Sequence, residues 1–337
     1  MVLALFMVRS VNLTQIATAF QGKATTDSHD KRLQRFFRGL TVDMSCVFEM
    51  ILTLFVIEGK VWLMMDRTNW QLGKKNMNIL TLAIGYKGIA IPLAWFVMNK
   101  AGNSFTQDRI QLLEKAMSMI GKSKIKGLIA DREFIGSAWF DDLIKNKIPF
   151  FIRIKEETLA KGVRDRYAIP LKDVFCHLKE GKKSILPYPL EILGHSFYVA
   201  ASRLKHELLI VVTNQNPKKA LQFYKKRGEI ETLFACLKTR GFCFEETRFT
   251  HPARIEKLIF VIGIAFCWSY RVGDLANAVK PIKIKKHGRK AKSLFRYGID
   301  KIREVLFEWH RCFYDFLWLL KVFDHTTSAN IPKRLFL

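Results

Sequence analysis

The pattern of apolar and polar positions begins as helical at the N-terminus of the chain. Apolar residues recur at helical spacing over 11–20, and a second helix is predicted after a cap among residues 26–28. In this second helix Leu33, Phe36 and Phe37 are expected to face inward. Its outward face is basic, with Lys31, Arg32, Arg35 and Arg38. Two short helices joined by a glycine-containing turn are typical of a helix-turn-helix that contacts DNA, and equally of a helical hairpin with a solvated basic face.

The pattern becomes strand-like after residue 58, and two of the buried strands end on an acidic residue. The run 61–65 ends on Asp66 and is followed by a predicted loop at 67–70, and the run 126–130 ends on Asp131. The other elements predicted in this region are strands at 78–84 and 89–98 that form a hairpin, a helix at 106–120, a helix at 137–145 and a strand at 148–154.

Short alternating runs and turn formers then fill 155–216, so this segment is predicted to be a small β-rich module. Asn216 as cap and Pro217 as first residue predict a helix over 217–240 that is closed by Gly241. Helical periodicity continues to residue 320 and is interrupted by a basic loop.

One stripe of the predicted 217–240 helix carries a phenol, two cations and one carboxylate. Tyr224, Arg227, Glu231 and Lys238 fall within a sector roughly 60° wide on a helix of 3.6 residues per turn. Taken alone, Arg227 and Glu231 also fit a surface ion pair at i,i+4 spacing.

The spacing Tyr-x2-Arg-x3-Glu-x6-Lys resembles the signature of the DDE transposases of bacterial insertion sequences. Two further motifs, Asp66-x-Thr-x-Trp and Ala-Asp131-Arg-x-Phe, resemble motifs of the same group and occur in the same order. The resemblance implies an α/β fold with a ribonuclease H-like catalytic core over 59–154 and 217–325. It also implies an N-terminal helical DNA-binding region over 1–58 and an inserted β-rich module over 155–216.

The resemblance assigns a role to each of the marked residues. Asp66, Asp131 and Glu231 would be the catalytic acids and the ligands of two Mg²⁺ or Mn²⁺ ions, which are hard cations that prefer oxygen donors. Tyr224 and the two cations on its stripe, Arg227 and Lys238, would hold phosphates. The implied reaction is cleavage of transposon ends and their joining to target DNA, by a protein that is a homodimer when paired with DNA. Two departures from the group are Gly228, at a position that is often aromatic, and the lack of any Trp between 139 and 268.

The formal charge of +26, with 56 Lys and Arg against 30 Asp and Glu, predicts a polyanionic partner. Double-stranded DNA is the first candidate, and contacts are expected from the acid-free run Lys285, Lys286, Arg289 and Lys290. A solvated surface is the competing interpretation of this run. An anionic membrane is the second candidate partner, but the longest apolar run, 258–268, is too short to span a bilayer. A cytoplasmic protein without membrane association is therefore expected, with reduced cysteines because its six Cys show no close pairs.

Two other functions remain open from the sequence. A non-transposing nuclease of the same fold would cut DNA without joining it. A catalytically weakened DNA-binding descendant would keep the basic surface while losing an acid, although all three acids are present here.

Overall fold

The computed structural model describes residues 1–322 apart from 56, 58, 99 and 164, and apart from the side chains of 44, 45, 47, 52 and 53. The predicted region boundaries at 58 and 325 lie outside the described residues.

Nine strands form one mixed sheet in the order β3-β2-β1-β4-β5-β11-β10-β8, with β9 paired to β10. Strands β1, β4 and β5 are parallel neighbours, whereas the β2–β3, β5–β11, β10–β11, β8–β10 and β9–β10 pairs are antiparallel. A second sheet contains β6 and β7. The strands are β1 Val61–Leu72, β2 Lys75–Tyr86, β3 Ile89–Met98, β4 Ile125–Ala130, β5 Phe150–Ile154, β6 Leu159–Ala160, β7 Ile169–Pro170, β8 Lys183–Ile185, β9 Leu190–Ile192, β10 His195–Arg203 and β11 Leu208–Thr213.

The helices lie before the sheet, between its strands and after it. They are α1 Val2–Val8, α2 Leu13–Thr18, α3 Thr26–Gly39, α4 Met44–Leu54, α5 Thr106–Ile120, α6 Ser137–Lys145, α7 Leu171–Val174, α8 Ala220–Tyr224, α9 Gly228–Leu237, α10 Pro252–Val279, α11 Leu294–Phe307 and α12 Phe313–Lys321.

The chain divides into two compact units. The first contains Met1–Ile57, Trp70–Met77 and the chain from Leu233 onward, and the second contains Glu58–Asn69 and Asn78–Thr232. The second unit therefore holds the sheet, apart from the tip of the β1–β2 hairpin.

The predicted hairpin and the helix after it are confirmed. Strands β2 and β3 pair antiparallel across a two-residue turn in which Lys87 has φ 46° and Gly88 has φ 88°. Positive φ at both positions matches the right-handed twist of the strands, as two-residue hairpins require. The helix over 106–120 ends at Gly121, whose φ of 79° is favourable only for glycine.

The predicted loop at 67–70 is wrong, because β1 continues through these residues to Leu72. Burial alternates along its second half, and the chain reverses only at Gly73, where φ is 57°. The polar residues at 67–70 predict the end of the strand. In the structure β1 is one arm of a long hairpin, and its polar residues lie mainly on the less buried face.

The N-terminal helices differ in detail from the prediction. The cap of α3 is Thr25, whose hydroxyl accepts from Ser28 N at 3.3 Å, and not a residue among 26–28. Leu33 and Phe37 are buried as expected, whereas Phe36 is 44% exposed. Helices α1 and α4 were not predicted, and α1 places Phe6 against Trp268 at 5.4 Å between ring centres.

The predicted helix over 217–240 is a succession of shorter helical segments. Asn216 caps its start and Pro217 is its first residue, as expected. A 3-10 turn over Lys225–Arg227 then separates α8 from α9, and α9 ends at Leu237 and not at 240. The chain reverses tightly after α9 and needs glycine at 241. A Cβ at Gly241 would lie only 2.0 Å from the Cys236 carbonyl oxygen. Because α9 begins after the 3-10 turn, Gly228 is the first residue of α9 and not an interior position.

The apolar run around 258–268 belongs to a longer helix than predicted, the 28-residue α10. By length and composition alone α10 is able to cross a membrane, but 78% of its most apolar window is buried inside the protein. Core helices have the same composition, so this is weak evidence for a span. Helix α11 packs so closely on α10 that only glycine fits at 298. A Cβ at Gly298 would lie 1.7 Å from the Ser269 carbonyl oxygen.

The segment 155–216 is rich in short strands, as the sequence predicts. Its longest strands are not separate from the main sheet, since β11 pairs antiparallel with β5 and β10 pairs with β11.

Candidate active site

Two of the predicted acids lie next to each other on neighbouring strands of the second unit. Asp66 follows Met65 on β1, and Asp131 follows Ala130 at the end of β4. Met65 and Ala130 are paired in the parallel register of these strands. Because parallel strands run in the same direction, the residues that follow this pair point to the same edge of the sheet.

Arg227 contacts all three predicted acids with one guanidinium group. Its Nη2 lies 3.2 Å from Asp66 Oδ2 and 3.2 Å from Asp131 Oδ2, and its Nη1 donates to Glu231 Oε1. The side chain is 19% exposed. Guanidinium has five N–H donors in a planar fork, which allows a single group to serve three carboxylates. The three acids, which come from separate segments of the chain, thus surround one cation.

Tyr224 also faces the acids. Its hydroxyl donates to Asp131 Oδ1 at 3.0 Å, and the residue is 7% exposed. Burial and the neighbouring charge of Asp131 raise the pKa of Tyr224 above its ordinary value, so the phenol stays neutral and acts as a donor. This contact orients Asp131, and the phosphate contact of Tyr224 stays a prediction.

Burial is the main influence on the ionisation of Asp66. It raises the pKa of Asp66 to about 6, against the lowering effects of Arg227 and of the Arg67 backbone N–H, which donates to Asp66 Oδ1 at 2.8 Å. Glu133 and Asp131 add like charges and raise the pKa further. The guanidinium of Arg227 lowers the pKa of Asp66 and so stabilises its ionised form, but burial outweighs this effect.

The comparisons with known proteins bear on this arrangement. Residues 65–268 match the family model of the transposase DDE domain. The chain belongs to the DDE transposase family. Asp66, Asp131 and Glu231 all lie within the matched residues of this DDE domain.

A comparison with solved structures finds a piggyBac transposase synaptic complex with hairpin DNA, determined by cryo-electron microscopy. The sequences are 12% identical and the TM-score is 0.44. The match covers 82% of this chain and 59% of that one, so this chain spans less than two thirds of the length of that protein. A comparison with curated proteins finds no match.

The donor set of the three predicted acids fits a hard divalent cation, because three carboxylates from three segments already converge on one positive group. Among the described residues, no three His, Cys, Asp or Glu side chains are gathered closely enough to hold an ion as they stand. The guanidinium of Arg227 lies among the three carboxylates.

Two residues beside the predicted acids were not predicted as part of the site. Arg67 and Glu133 form a bidentate ion pair, with Nε to Oε1 at 3.1 Å and Nη2 to Oε2 at 2.8 Å. This pair ties the segment after Asp66 to the segment after Asp131. Buried Arg109 supports it from behind by donating to the Glu133 carbonyl oxygen at 3.0 Å. The sequence signal for this pair is its spacing, because Arg67 follows Asp66 directly and Glu133 lies two residues after Asp131. The prediction of a loop at 67–70 hid this signal.

The remaining predicted DNA contacts belong to the first unit. Lys238 lies just beyond the end of α9, where its Nζ is 2.7 Å from Glu245 Oε1 and 5.4 Å from the centre of the Trp70 ring. The basic run lies in the loop between α10 and α11, as predicted, and its four cations are exposed: Lys285, Lys286, Arg289 and Lys290.

Proposed function

We propose that this DDE transposase cleaves the ends of its own DNA element and joins them to target DNA by metal-dependent phosphoryl transfer. The observation that carries the proposal is the convergence of Asp66, Asp131 and Glu231 on the single guanidinium of Arg227. In the sequence, the same three residues stand in the motifs that resemble those of the family. Structural ion pairs alone would not require three carboxylates from three distant segments to meet in one place.

In this proposal Asp66, Asp131 and Glu231 hold two Mg²⁺ or Mn²⁺ ions. Such ions, when bound, supply charge stabilisation for the phosphate and lower the pKa of the attacking hydroxyl. Tyr224 keeps Asp131 in position through its hydroxyl. Arg67 and Glu133 hold the two acid-bearing segments together. Arg227 exchanges its carboxylate partners for a DNA phosphate, because its fork also fits two phosphate oxygens by bidentate contact.

We also assign β1 to β5 with α5 to a ribonuclease H-like core. The support is the order β3-β2-β1-β4-β5, with the acids on neighbouring β1 and β4. The N-terminal helices are assigned to DNA binding, since α3 exposes Lys31, Arg32, Arg35 and Arg38 on one side. DNA is the partner, and two copies act together on the paired ends.

Binding of duplex DNA is expected to weaken steeply with salt, because phosphate contacts release counterions. Replacing Lys285, Lys286, Arg289 and Lys290 together with glutamine should reduce the slope of log affinity against log salt by about 3 to 4. A matched control removes four exposed lysines of the second unit: Lys179, Lys182, Lys183 and Lys205. The slope is measured by mobility shift at several salt concentrations. Equal reductions in both variants would mean that total charge alone matters, and an unchanged slope would make the loop a solvated surface.

Lys238→Ala is expected to weaken binding or cleavage of the element's end by about ten- to a hundredfold, the range of a hydrogen bond to a charged group. Lys225→Ala and Lys226→Ala should cost much less. Glu245→Gln is the control, because it removes the ion-pair partner of Lys238 while keeping the cation. End binding is measured by mobility shift and folding by thermal unfolding. Loss of binding in Glu245→Gln to the same extent would show that the ion pair, and not a phosphate contact, is what matters.

A further inference from the structure

A cavity of about 410 Å³ lies at the starts of the parallel strands, in the second unit. Trp62 is near the start of β1 and Lys126 near the start of β4, whereas Asp66 and Asp131 come later on the same strands. At about 3.3 Å per residue, Trp62 is about 13 Å from Asp66 along β1. The cavity is therefore separate from the acids, and its volume is in the range that small ligands occupy.

One wall of the cavity is aromatic. The ring centres of Trp62 and Phe223 are 4.7 Å apart, and those of Phe151 and Phe223 are 5.1 Å apart. Phe223 is half-buried, so part of its surface remains open to the cavity. Aromatic side chains of this kind stack on nucleic-acid bases with little preference for sequence, because every base has a π-face.

The rim of the cavity is cationic. Lys126, Lys218 and Lys219 line it and are exposed, and Lys126 Nζ lies 5.4 Å from the centre of the Trp62 ring. No acid lines the cavity, and within the part of the chain that the structure describes these lysines form no ion pair. Three uncompensated cations beside an aromatic wall complement an anion that carries a flat ring.

We propose that this cavity binds an unstacked base of a single DNA strand, with the adjacent phosphates on Lys126, Lys218 and Lys219. A strand is favoured over a free nucleotide because three separate cations match several phosphates better than one. Helix α8 links the cavity to the acids, since Phe223 lines the wall and the next residue, Tyr224, donates to Asp131. The inference goes beyond the proposed function, because binding here needs neither the acids nor a metal ion.

The test measures fluorescence anisotropy of a labelled ten-residue oligo(dT) with the full chain in the absence of divalent metal. Phe223→Leu and the double variant Lys218→Gln/Lys219→Gln should each weaken binding about tenfold. Binding of a duplex of the same length should change less than twofold in the Phe223→Leu variant. An oligonucleotide of abasic residues keeps the phosphates and should bind the wild type about tenfold more weakly than oligo(dT).

Phe105→Leu is the matched control, because Phe105 is 67% exposed in the same unit and outside the cavity. Thermal unfolding checks that each variant is folded. If Phe223→Leu does not fold, the Lys218→Gln/Lys219→Gln variant carries the test.

The proposal is overturned if both cavity variants bind oligo(dT) like the wild type, or if the abasic strand binds equally well. Binding of thymidine monophosphate as tightly as oligo(dT) would identify a free-nucleotide site instead. Cleavage of end DNA with Mg²⁺ is assayed separately on the wild type, so failure of the catalytic proposal is distinguished from failure of this one.

Discussion

Asp66→Ala, Asp131→Ala and Glu231→Ala are each expected to abolish cleavage of the element's ends while DNA binding persists. The acids would position metal ions and add no affinity for phosphate, so their removal takes away stabilisation of the transition state only. A loss of about 4 kcal/mol corresponds to about a thousandfold in rate. The measurement is cleavage of labelled end DNA with Mg²⁺, beside a mobility shift on the same DNA.

Asp141→Ala is the control for this series. Asp141 is an acid of the same unit on α6, and its side chain is 66% exposed. The Asp141→Ala variant should cleave at the wild-type rate. Substantial cutting by any of the three acid variants would remove that residue from the site. Cutting without joining, in the wild type, would favour a nuclease over a transposase.

Arg227→Gln is expected to have opposite effects on metal binding and on cleavage. Without the guanidinium, the carboxylates of Asp66, Asp131 and Glu231 repel one another in the metal-free protein. The free energy of unfolding should fall by about 1 to 3 kcal/mol, as for other lost charged hydrogen bonds. Mn²⁺ should then stabilise the variant more than it stabilises the wild type, because a competing cation has been removed. Cleavage should fall, since the phosphate contact is lost as well.

The measurement is the thermal unfolding midpoint as a function of Mn²⁺ concentration. Arg132→Gln is the control for charge, because Arg132 is exposed next to Asp131. Arg227→Lys keeps the charge without the planar fork and should fall between the wild type and Arg227→Gln. Equal stabilisation of wild type and Arg227→Gln by Mn²⁺ would show that Arg227 does not compete with metal for the acids.

The sequence predicts the acid-bearing strands well because their signals are local. A run of buried residues predicts the strand before each acid, and it correctly places Asp131 at the end of β4. Asp66 lies within β1, because this strand continues to Leu72. The hairpin at Lys87 and Gly88 and the helix ending at Gly121 are predictable for the same reason, since one or two residues determine the turn or cap.

The contacts of Arg227 could not be predicted in full from spacing. The i,i+4 contact with Glu231 is predictable, and it is present. The contacts with Asp66 and Asp131 are long-range, and Asp66 lies 161 positions before Arg227. Both contacts depend on how the helix packs against strands β1 and β4. The sequence predicts a regular helix over 217–240, but the 3-10 turn at Lys225–Arg227 changes the angular positions of the residues on either side.

The most direct test of the central claim is to map the metal site with Fe²⁺ and ascorbate, which generate radicals that cut the protein backbone near the bound ion. The fragments are sized by mass spectrometry for the wild type, Arg227→Gln and Asp131→Ala. The account predicts cuts close to residues 66, 131 and 231 that are stronger in Arg227→Gln, are suppressed by Mn²⁺ and disappear in Asp131→Ala. Cuts elsewhere in the chain, or cuts at these three places that persist in Asp131→Ala, would contradict it.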